Sequence, residues 1–405
     1  MRFLPLVLTA TALWAAPGAT ERAAIRAALQ VPDPLPALAP ETHGRFDAAP
    51  DVIAERVTYS TEYGMRVPAI LYLPRERAGK VPGFIVVNGH GGDKYSWYAL
   101  YTGVLFAKIG MAVLTYDPVG EGERNAGRKS GTRAHDPYVP PEEMARRMGG
   151  LMMTDVMQAV SYLAQRPEVD ARRIAAGGYS MGSFVLALAC AAEPRLRACT
   201  LSGGGNLDGP GGHWDSSSKK MCQAIPYQSL SFLGDRPAVI YALQADHAAT
   251  YIFNGANDTV VAIPTVGTKP FFQDLYSRVV KLRGNNQSVF NFAYEPGNAG
   301  HRPYWVTPPV VEWLNAQLRF SAKRFTGPSV RIGDWAAANH VAMDKGYDTE
   351  QHEGGTRALA ADVPGLPREQ LTVLPAAEWE KQKDNFTLEG WLERTKKLVG
   401  AAAAR

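Results

Sequence analysis

The chain has 405 residues, of which 46% are hydrophobic and 20% are charged, and its formal net charge is +4. These values indicate a globular protein with a sizeable core, built either as one large domain with appendages or as two domains. A charge of +4 spread over this length makes no basic face, so we expect no nucleic-acid partner.

The N-terminal segment has the pattern of a secretory signal peptide. An early arginine precedes an uncharged stretch from Phe3 to Thr20, which ends in small residues. The alternative is an uncleaved anchor, but this stretch contains two prolines and is at the lower limit for spanning a bilayer. We therefore predict a signal peptide at residues 1–20 and an N-terminal arm at 21–50. The mature protein would be secreted or periplasmic, with no stable membrane insertion.

The body of the chain alternates between predicted strands and helices. Two segments around Gly64 have the pattern of a β-hairpin, and later short apolar runs suit buried parallel strands. The predicted strands are residues 55–63, 66–74, 83–88, 111–116, 172–179, 197–202, 249–255 and 289–295, and the predicted helices are 152–167, 270–284 and 308–320. The pattern predicts an α/β fold over residues 51–320, with an eight-stranded, mostly parallel sheet flanked by helices.

Two further segments lie outside this alternation. Residues 202–235 begin with a stretch too rich in glycine for a regular element, and we predict a lid-like insertion over the strand ends. Residues 321–405 contain too few strand patterns for a second sheet, although short helices are predicted there. We expect a C-terminal extension packed on the body of the protein.

Residues 178–182 read Gly-Tyr-Ser-Met-Gly and fit the G-x-S-x-G elbow between a strand and a helix. The match alone is weak, but an apolar strand precedes it and an apolar helix follows it. We therefore predict that Ser180 is a nucleophile. A serine hydroxyl needs an imidazole to take its proton and a carboxylate to orient that imidazole.

Asp258 and His301 are the predicted partners of Ser180. Each follows a predicted strand, so both lie where the carboxyl ends of parallel strands meet, and the chain order Ser, Asp, His is that of the elbow enzymes. Asp246 is the alternative carboxylate, but it precedes a strand. For the oxyanion hole we predict the backbone of Met181 and of the loop that holds His90, Gly91 and Gly92.

Several weaker candidates surround these residues. Trp97, Trp214 and Tyr304 are predicted to bind substrate by stacking on a sugar ring, with packing in the core as the alternative. Asp117 follows a strand and either lines the pocket or forms a cap and salt bridge.

The cysteine and histidine spacings predict no metal site and no cofactor. Neither H-E-x-x-H nor C-x-x-C occurs among the eight histidines and three cysteines. The cysteines allow one disulfide at most, and because two of them lie in apolar runs we expect reduced, buried thiols.

The motifs NGHGG, YDPVGEGER, RPEVDARRIAAGGYSMGS, NGANDTVV and GH together resemble the bacterial acetyl xylan esterase and dienelactone hydrolase-like group of the α/β-hydrolases. The resemblance covers residues 51–320 and implies nucleophile, acid and base roles for Ser180, Asp258 and His301. It implies a serine esterase more firmly than any one substrate. One departure is Ser183, where many relatives carry a glycine.

The sequence therefore predicts a serine esterase that acts through an acyl-enzyme on short-acyl esters, acetyl esters of a saccharide or another small molecule among them. One alternative is a peptidase of the prolyl oligopeptidase type, which the lack of repeated propeller blades disfavours. The other is a noncatalytic carbohydrate-binding protein on a hydrolase scaffold. The sequence leaves the oligomeric state open.

Overall fold

The polypeptide follows the predicted alternation and adds one strand. The computed structural model describes residues 18–138, 142–204, 207–208, 222–287, 289–320, 329–343, 357–359 and 362–403. Most of the predicted signal peptide, much of the predicted insertion and Trp214 lie outside these residues. The central sheet has nine strands rather than eight, because Glu41–Ala49 in the predicted N-terminal arm pairs with its edge.

The strands of the central sheet are β1 Glu41–Ala49, β2 Val52–Ser60, β3 Arg66–Pro74, β4 Val81–Val87, β5 Ala112–Tyr116, β6 Val169–Tyr179, β7 Leu196–Ser202, β8 Ala249–Gly255 and β9 Asn291–Glu295. Two short strands follow, β10 Ser329–Arg331 and β11 Arg357–Leu359. The helices are α1 Ala19–Ala28, α2 Trp97–Lys108, α3 Glu142–Gln165, α4 Met181–Ala192, α5 Ala224–Gln228, α6 Arg236–Ala245, α7 Lys269–Arg283, α8 Pro308–Leu318, α9 Ile332–Ala338, α10 Arg368–Leu371, α11 Ala376–Gln382 and α12 Leu388–Ala403.

The strand order is β1-β2-β3-β5-β4-β6-β7-β8-β9. Strands β1, β2, β3 and β5 pair antiparallel, and every pairing from β5 across to β9 is parallel. The predicted hairpin around Gly64 and the mostly parallel sheet are thus confirmed. Because the parallel strands end at one edge, the loops after β4, β6, β8 and β9 lie at that edge.

Helices cover both faces of the sheet and create two apolar cores. Within β4, Ile85 packs into the core that contains residues of α3 and α4, whereas Phe84 packs into the core that contains residues of α2 and α8. Every residue of this strand after Val81 is buried. The continuous apolar sequence of β4 follows from this burial on both faces.

A disulfide joins Cys190 to Cys199, so the prediction of reduced thiols is wrong for this pair. Cys190 lies in α4 and Cys199 lies in β7, and α4 packs on β7, which brings the two sulfur atoms together. Cys222 is a buried free thiol. No helix in the described part of the chain is long and apolar enough to cross a membrane.

The C-terminal residues pack on the sheet and its loops. Strands β10 and β11 form a separate two-stranded sheet, which the sequence patterns did not predict. The Tyr101 hydroxyl of α2 donates a hydrogen bond to the Leu359 carbonyl at 2.5 Å. The Trp379 indole N–H donates to the Glu123 carbonyl at 3.0 Å. The extension thus contacts the helix and the loop that follow β4 and β5.

Candidate active site

Ser180 lies at the sharp turn between β6 and α4. Its backbone has φ 54° and ψ −122°, a conformation that is rare for a residue with a side chain. A Cβ atom on Gly178 would overlap the backbone of Gly182, and one on Gly182 would overlap the backbone of Val87. The two glycines of the motif therefore allow the turn, which leaves Ser180 partly exposed at the edge where the parallel strands end.

Asp258 and His301 form a hydrogen-bonded pair at the same edge. Asp258 follows β8 and is fully buried, and its Oδ2 lies 2.7 Å from His301 Nδ1. The backbone N–H groups of Val260 and Val261 donate to the other carboxylate oxygen at 3.1 and 3.3 Å. The carboxylate is therefore fixed in place and can hold the imidazole in one tautomer and orientation.

Asp246, the alternative carboxylate, is not at this edge. It accepts hydrogen bonds from Arg22 of α1 at 2.8 Å and from Arg283 of α7 at 3.1 Å. The structure therefore brings Asp258, rather than Asp246, to His301.

Gly203 lies close to both the His301 imidazole and the Ser180 backbone. A Cβ atom at this glycine would lie 2.8 Å from His301 Cε1 and 3.3 Å from the Ser180 backbone nitrogen. Tyr179 also holds the histidine, since its ring centroid lies 4.9 Å from that of His301. No hydrogen bond joins the Ser180 hydroxyl to His301 among the described residues. Such contacts are often long in ligand-free enzymes and tighten when substrate binds.

The loop after β4 presents backbone amides beside Ser180. A Cβ atom on Gly89 would lie 3.2 Å from Ser180 Cβ, which shows how closely the loop approaches the elbow. The Gly89 N–H donates to the Tyr98 hydroxyl at 3.2 Å, and the Gly92 N–H donates to the Gly89 carbonyl at 3.0 Å. In the described part of the chain, the amides near Ser180 that have no paired acceptor include those of His90, Gly91 and Met181.

Two of the predicted substrate-binding aromatics belong to the core instead. Trp97 is 1% exposed and packs edge-on against Tyr98. Tyr304 is fully buried, and its hydroxyl donates to the Gly300 carbonyl at 2.6 Å. Neither ring offers a face to a sugar, because both are enclosed by other side chains. Aromatic residues in loops and at helix starts can pack in the core or bind a ligand, and the sequence pattern does not distinguish these two roles.

Comparison with known proteins identifies the architecture. Residues 45–201 match the acetyl xylan esterase (AXE1) family model, and residues 141–278 match that of the prolyl oligopeptidase family. A putative acetyl xylan esterase from Bacteroides fragilis superposes with a TM-score of 0.52 at 14% identity, over 67% of this chain and 73% of that one. The chain has the α/β-hydrolase fold. The resemblance predicted from the motifs is confirmed.

Two curated proteins are similar to part of this α/β-hydrolase. Thiohydrolase apmlB of Arthrinium phaeospermum is 27% identical over 147 residues, which are 36% of this chain and 41% of that protein. Hydrolyase poxO of Penicillium oxalicum is 33% identical over 136 residues, which are 33% of this chain and 29% of that protein. The similarity therefore spans less than half of each relative.

The loop after β4 is anchored by a set of buried ionic side chains. We call this set the buried charge network, and its members are Lys94, Asp117, Glu123, Arg124 and Asp155. The Lys94 ammonium lies 2.5 Å from Asp117 Oδ2 and 2.9 Å from Glu123 Oε2. Burial alone would lower the pKa of Lys94, but the two carboxylates outweigh it and raise that pKa. Asp117 therefore takes the salt-bridge role, one of its two predicted alternatives.

The buried charge network also reaches the C-terminal extension and α3. The Glu123 carboxylate accepts hydrogen bonds from the backbone N–H groups of Val373 at 2.8 Å and Leu374 at 3.1 Å. Arg124 forms an ion pair with Asp155 of α3. One network thus connects the loop after β4, the loop after β5, α3 and the C-terminal extension.

A second polar cluster lies beside the loop after β4. His90, His135 and Cys222 each place a potential ligand atom within 4.8 Å of the others. Burial lowers the pKa of His135 to about 4, and burial also lowers the pKa of His90. Both rings are therefore neutral near pH 7. The sequence patterns missed this cluster because its members come from three distant segments and no local spacing links them.

Proposed function

We propose that the protein is a serine esterase, with Ser180 as nucleophile, His301 as general base and Asp258 as the carboxylate that orients it. The observation that carries this proposal is the 2.7 Å hydrogen bond between His301 and a fully buried Asp258, beside a serine in the strained elbow turn. A buried carboxylate paired with a histidine at a strand edge is the arrangement that serine hydrolases use.

In the proposed reaction, His301 takes the proton of Ser180 while the serine oxygen bonds to the ester carbonyl carbon. The resulting oxyanion accepts hydrogen bonds from the amides of Met181 and of His90 or Gly91. The tetrahedral intermediate collapses, the bond to the alcohol breaks, and His301 returns its proton to the leaving alcohol. Water then attacks the acyl-enzyme by the same route and releases the acid.

We further propose short-acyl esters of a saccharide, acetyl esters above all, as the substrate class. The support is the match of residues 45–201, which include the elbow, to the acetyl xylan esterase family. The aromatic residues no longer support this proposal, since Trp97 and Tyr304 are buried.

The substrate proposal is tested with a series of esters. Measuring kcat/KM for acetyl, butyryl and octanoyl esters of one alcohol should give the highest value for acetyl. An efficiency that rises with chain length contradicts the short-acyl assignment. Equal efficiency on an acetylated sugar and a simple alkyl acetate contradicts the saccharide assignment while leaving the serine mechanism intact.

A peptidase is the second candidate, because residues 141–278 match the prolyl oligopeptidase family. That match includes Ser180 and Asp258 but ends before His301. A chromogenic prolyl amide measured beside an acetyl ester of the same leaving-group class separates the two activities. Turnover of the amide at a rate comparable with the ester would favour the peptidase.

We also propose that the protein is exported. The proposal rests on the signal-like pattern of residues 1–20, and the Cys190–Cys199 disulfide supports it because such bonds persist in oxidising compartments. Expression in a bacterial host followed by fractionation should recover the protein from the periplasm with a shortened N-terminus. Recovery of the full-length chain from the cytoplasm contradicts export.

A further inference from the structure

Three side chains able to bind a metal meet beside the oxyanion loop. His90 belongs to that loop, His135 lies between β5 and α3, and Cys222 lies just before α5. One ligand atom of each lies within 4.8 Å of the other two. His135 is 1% and Cys222 is 4% exposed, and the imidazole rings of the two histidines are 4.9 Å apart. A cation placed among them would be enclosed by protein on most sides.

His135 is the member whose hydrogen bonding the fold leaves incomplete. Neither of its buried ring nitrogens makes a hydrogen bond of good geometry. Its nearest polar neighbours are the Asp136 carboxylate, 3.5 Å from Nε2, and the backbone of Val119. Buried polar atoms without partners cost folding free energy and are rare. A bound ligand would give this ring the partner that it lacks. Even with one nitrogen directed at the Val119 carbonyl, the second remains for a metal.

We propose that His90, His135 and Cys222 bind a zinc ion. Two imidazoles and a thiol, which loses its proton on binding, are the donor types that zinc takes in four-coordinate sites. Zn–N bonds of about 2.0 Å and Zn–S bonds of about 2.3 Å put tetrahedral ligands roughly 3.5 Å apart. The observed separations therefore need to shorten by about an ångström, which rotation of these side chains can supply.

Asp136 supports the same assignment. Its carboxylate lies 2.7 Å from His90 Nε2 and 3.5 Å from His135 Nε2, so one oxygen faces both rings. A carboxylate hydrogen-bonded to one ring nitrogen orients a metal-binding histidine and raises its basicity, and Asp136 takes this position toward His90. Through His90 the zinc ion would tie the loop after β4 to Cys222, which lies within the predicted insertion of residues 202–235. It would thereby position the loop amides without contacting the substrate.

Cobalt titration of untagged protein, after removal of metal with a chelator, tests the proposal. We expect one equivalent of Co²⁺ to bind, to give a thiolate-to-cobalt charge-transfer band, and to be displaced by Zn²⁺. Cys222→Ser should lose the band, and His135→Gln should weaken binding by more than tenfold. Asp136→Asn should weaken it by about tenfold. His340→Gln, at an exposed histidine, is the matched control and should bind as the wild type does.

A wild-type protein that gives no band, a band that persists in Cys222→Ser, or equal losses in His135→Gln and His340→Gln would each overturn the site. The first of these outcomes is measured on the wild-type protein alone. The proposal can therefore be refuted even if a variant fails to fold. Because absorbance reads binding directly, the result is also independent of the esterase proposal. Ser180→Ala should bind Co²⁺ as the wild type does.

Discussion

The two sides of Ser180 are built in different ways. On one side, the elbow and the loops of Asp258 and His301 are short motifs, each read from a few adjacent residues at a strand end. On the other side, the loop after β4 is held through Lys94 by the buried charge network. The members of that network lie far apart in the chain. The comparison teaches that local motifs specify the elbow and the Asp258–His301 pair, whereas long-range buried contacts fix the loop that lies beside them.

The largest expected effect is on the motif side. Ser180→Ala removes the nucleophile, so we expect ester turnover to fall by about 10⁴-fold or more. Alanine removes only the hydroxyl oxygen, so the melting temperature should stay close to that of the wild type. Steady-state kinetics and thermal unfolding of the same preparation check both halves. Activity comparable with the wild type would exclude the Ser180 mechanism and favour another nucleophile.

The next largest effect tests which carboxylate serves His301. Asp258→Asn should lower kcat by about 10⁴-fold, because an amide cannot hold the required imidazole tautomer. Asp246→Asn is the matched control, since it removes a carboxylate that contacts Arg22 and Arg283 instead. We expect it to retain nearly full kcat. A large loss in Asp246→Asn with little in Asp258→Asn would reverse the assignment.

The sequence was sufficient for the parts of the fold that depend on local pattern. The apolar run of β4, the stripe of α3 and the glycines around Ser180 each specify their own structure. Strand β1 was missed because its burial pattern is mostly exposed and its sequence has no clean alternation. Its place is set by pairing with six residues of β2 rather than by its own side chains.

The polar interior could not be predicted for a related reason. Lys94 reads as an ordinary surface lysine until Asp117 and Glu123 are seen to enclose it. The same holds for the cluster of His90, His135 and Cys222, whose spacing along the chain carries no signal. Charged residues reveal burial only through partners, and those partners come from other segments.

The buried charge network should respond strongly to removal of Lys94, the cation that the loop after β4 contributes. Lys94→Met leaves the Asp117 carboxylate buried beside an apolar side chain, while Glu123 keeps its ion pair with Arg128. The free energy of unfolding should therefore fall by about 3–5 kcal/mol. Lys108→Met is the matched control, because Lys108 pairs at 2.7 Å with an Asp51 side chain that is 55% exposed. It should cost about 0–1 kcal/mol. Urea denaturation measures the loss of unfolding free energy in both variants. Equal losses would show that Lys94 does not anchor the loop.

The smallest expected effect concerns Glu62, which lies next to this network. Burial raises the pKa of Glu62 to about 8, so the carboxyl is protonated near neutral pH. Its surroundings agree with that form. Thr154 Oγ1 lies 2.8 Å from both Glu62 Oε1 and the Gly150 carbonyl oxygen. Since the single hydroxyl hydrogen can be donated to the carbonyl, a protonated Glu62 supplies the other hydrogen bond as donor.

A raised pKa in the folded state makes the stability fall as pH rises. Below about pH 4.5 the carboxyl is protonated in both the folded and the unfolded state. Above that pH only the unfolded chain releases the proton, so the free energy of unfolding falls by about 1.4 kcal/mol per pH unit. The loss continues until the pH passes the folded-state pKa of about 8. Glu62→Gln keeps a neutral donor and cannot ionise, so relative to the wild type it should gain roughly 2–3 kcal/mol between pH 5 and 7.5. Glu76→Gln, at an exposed glutamate, should leave the pH profile unchanged. Urea denaturation across this range measures the difference, and parallel profiles for Glu62→Gln and the wild type would mean that Glu62 is ionised in the folded protein.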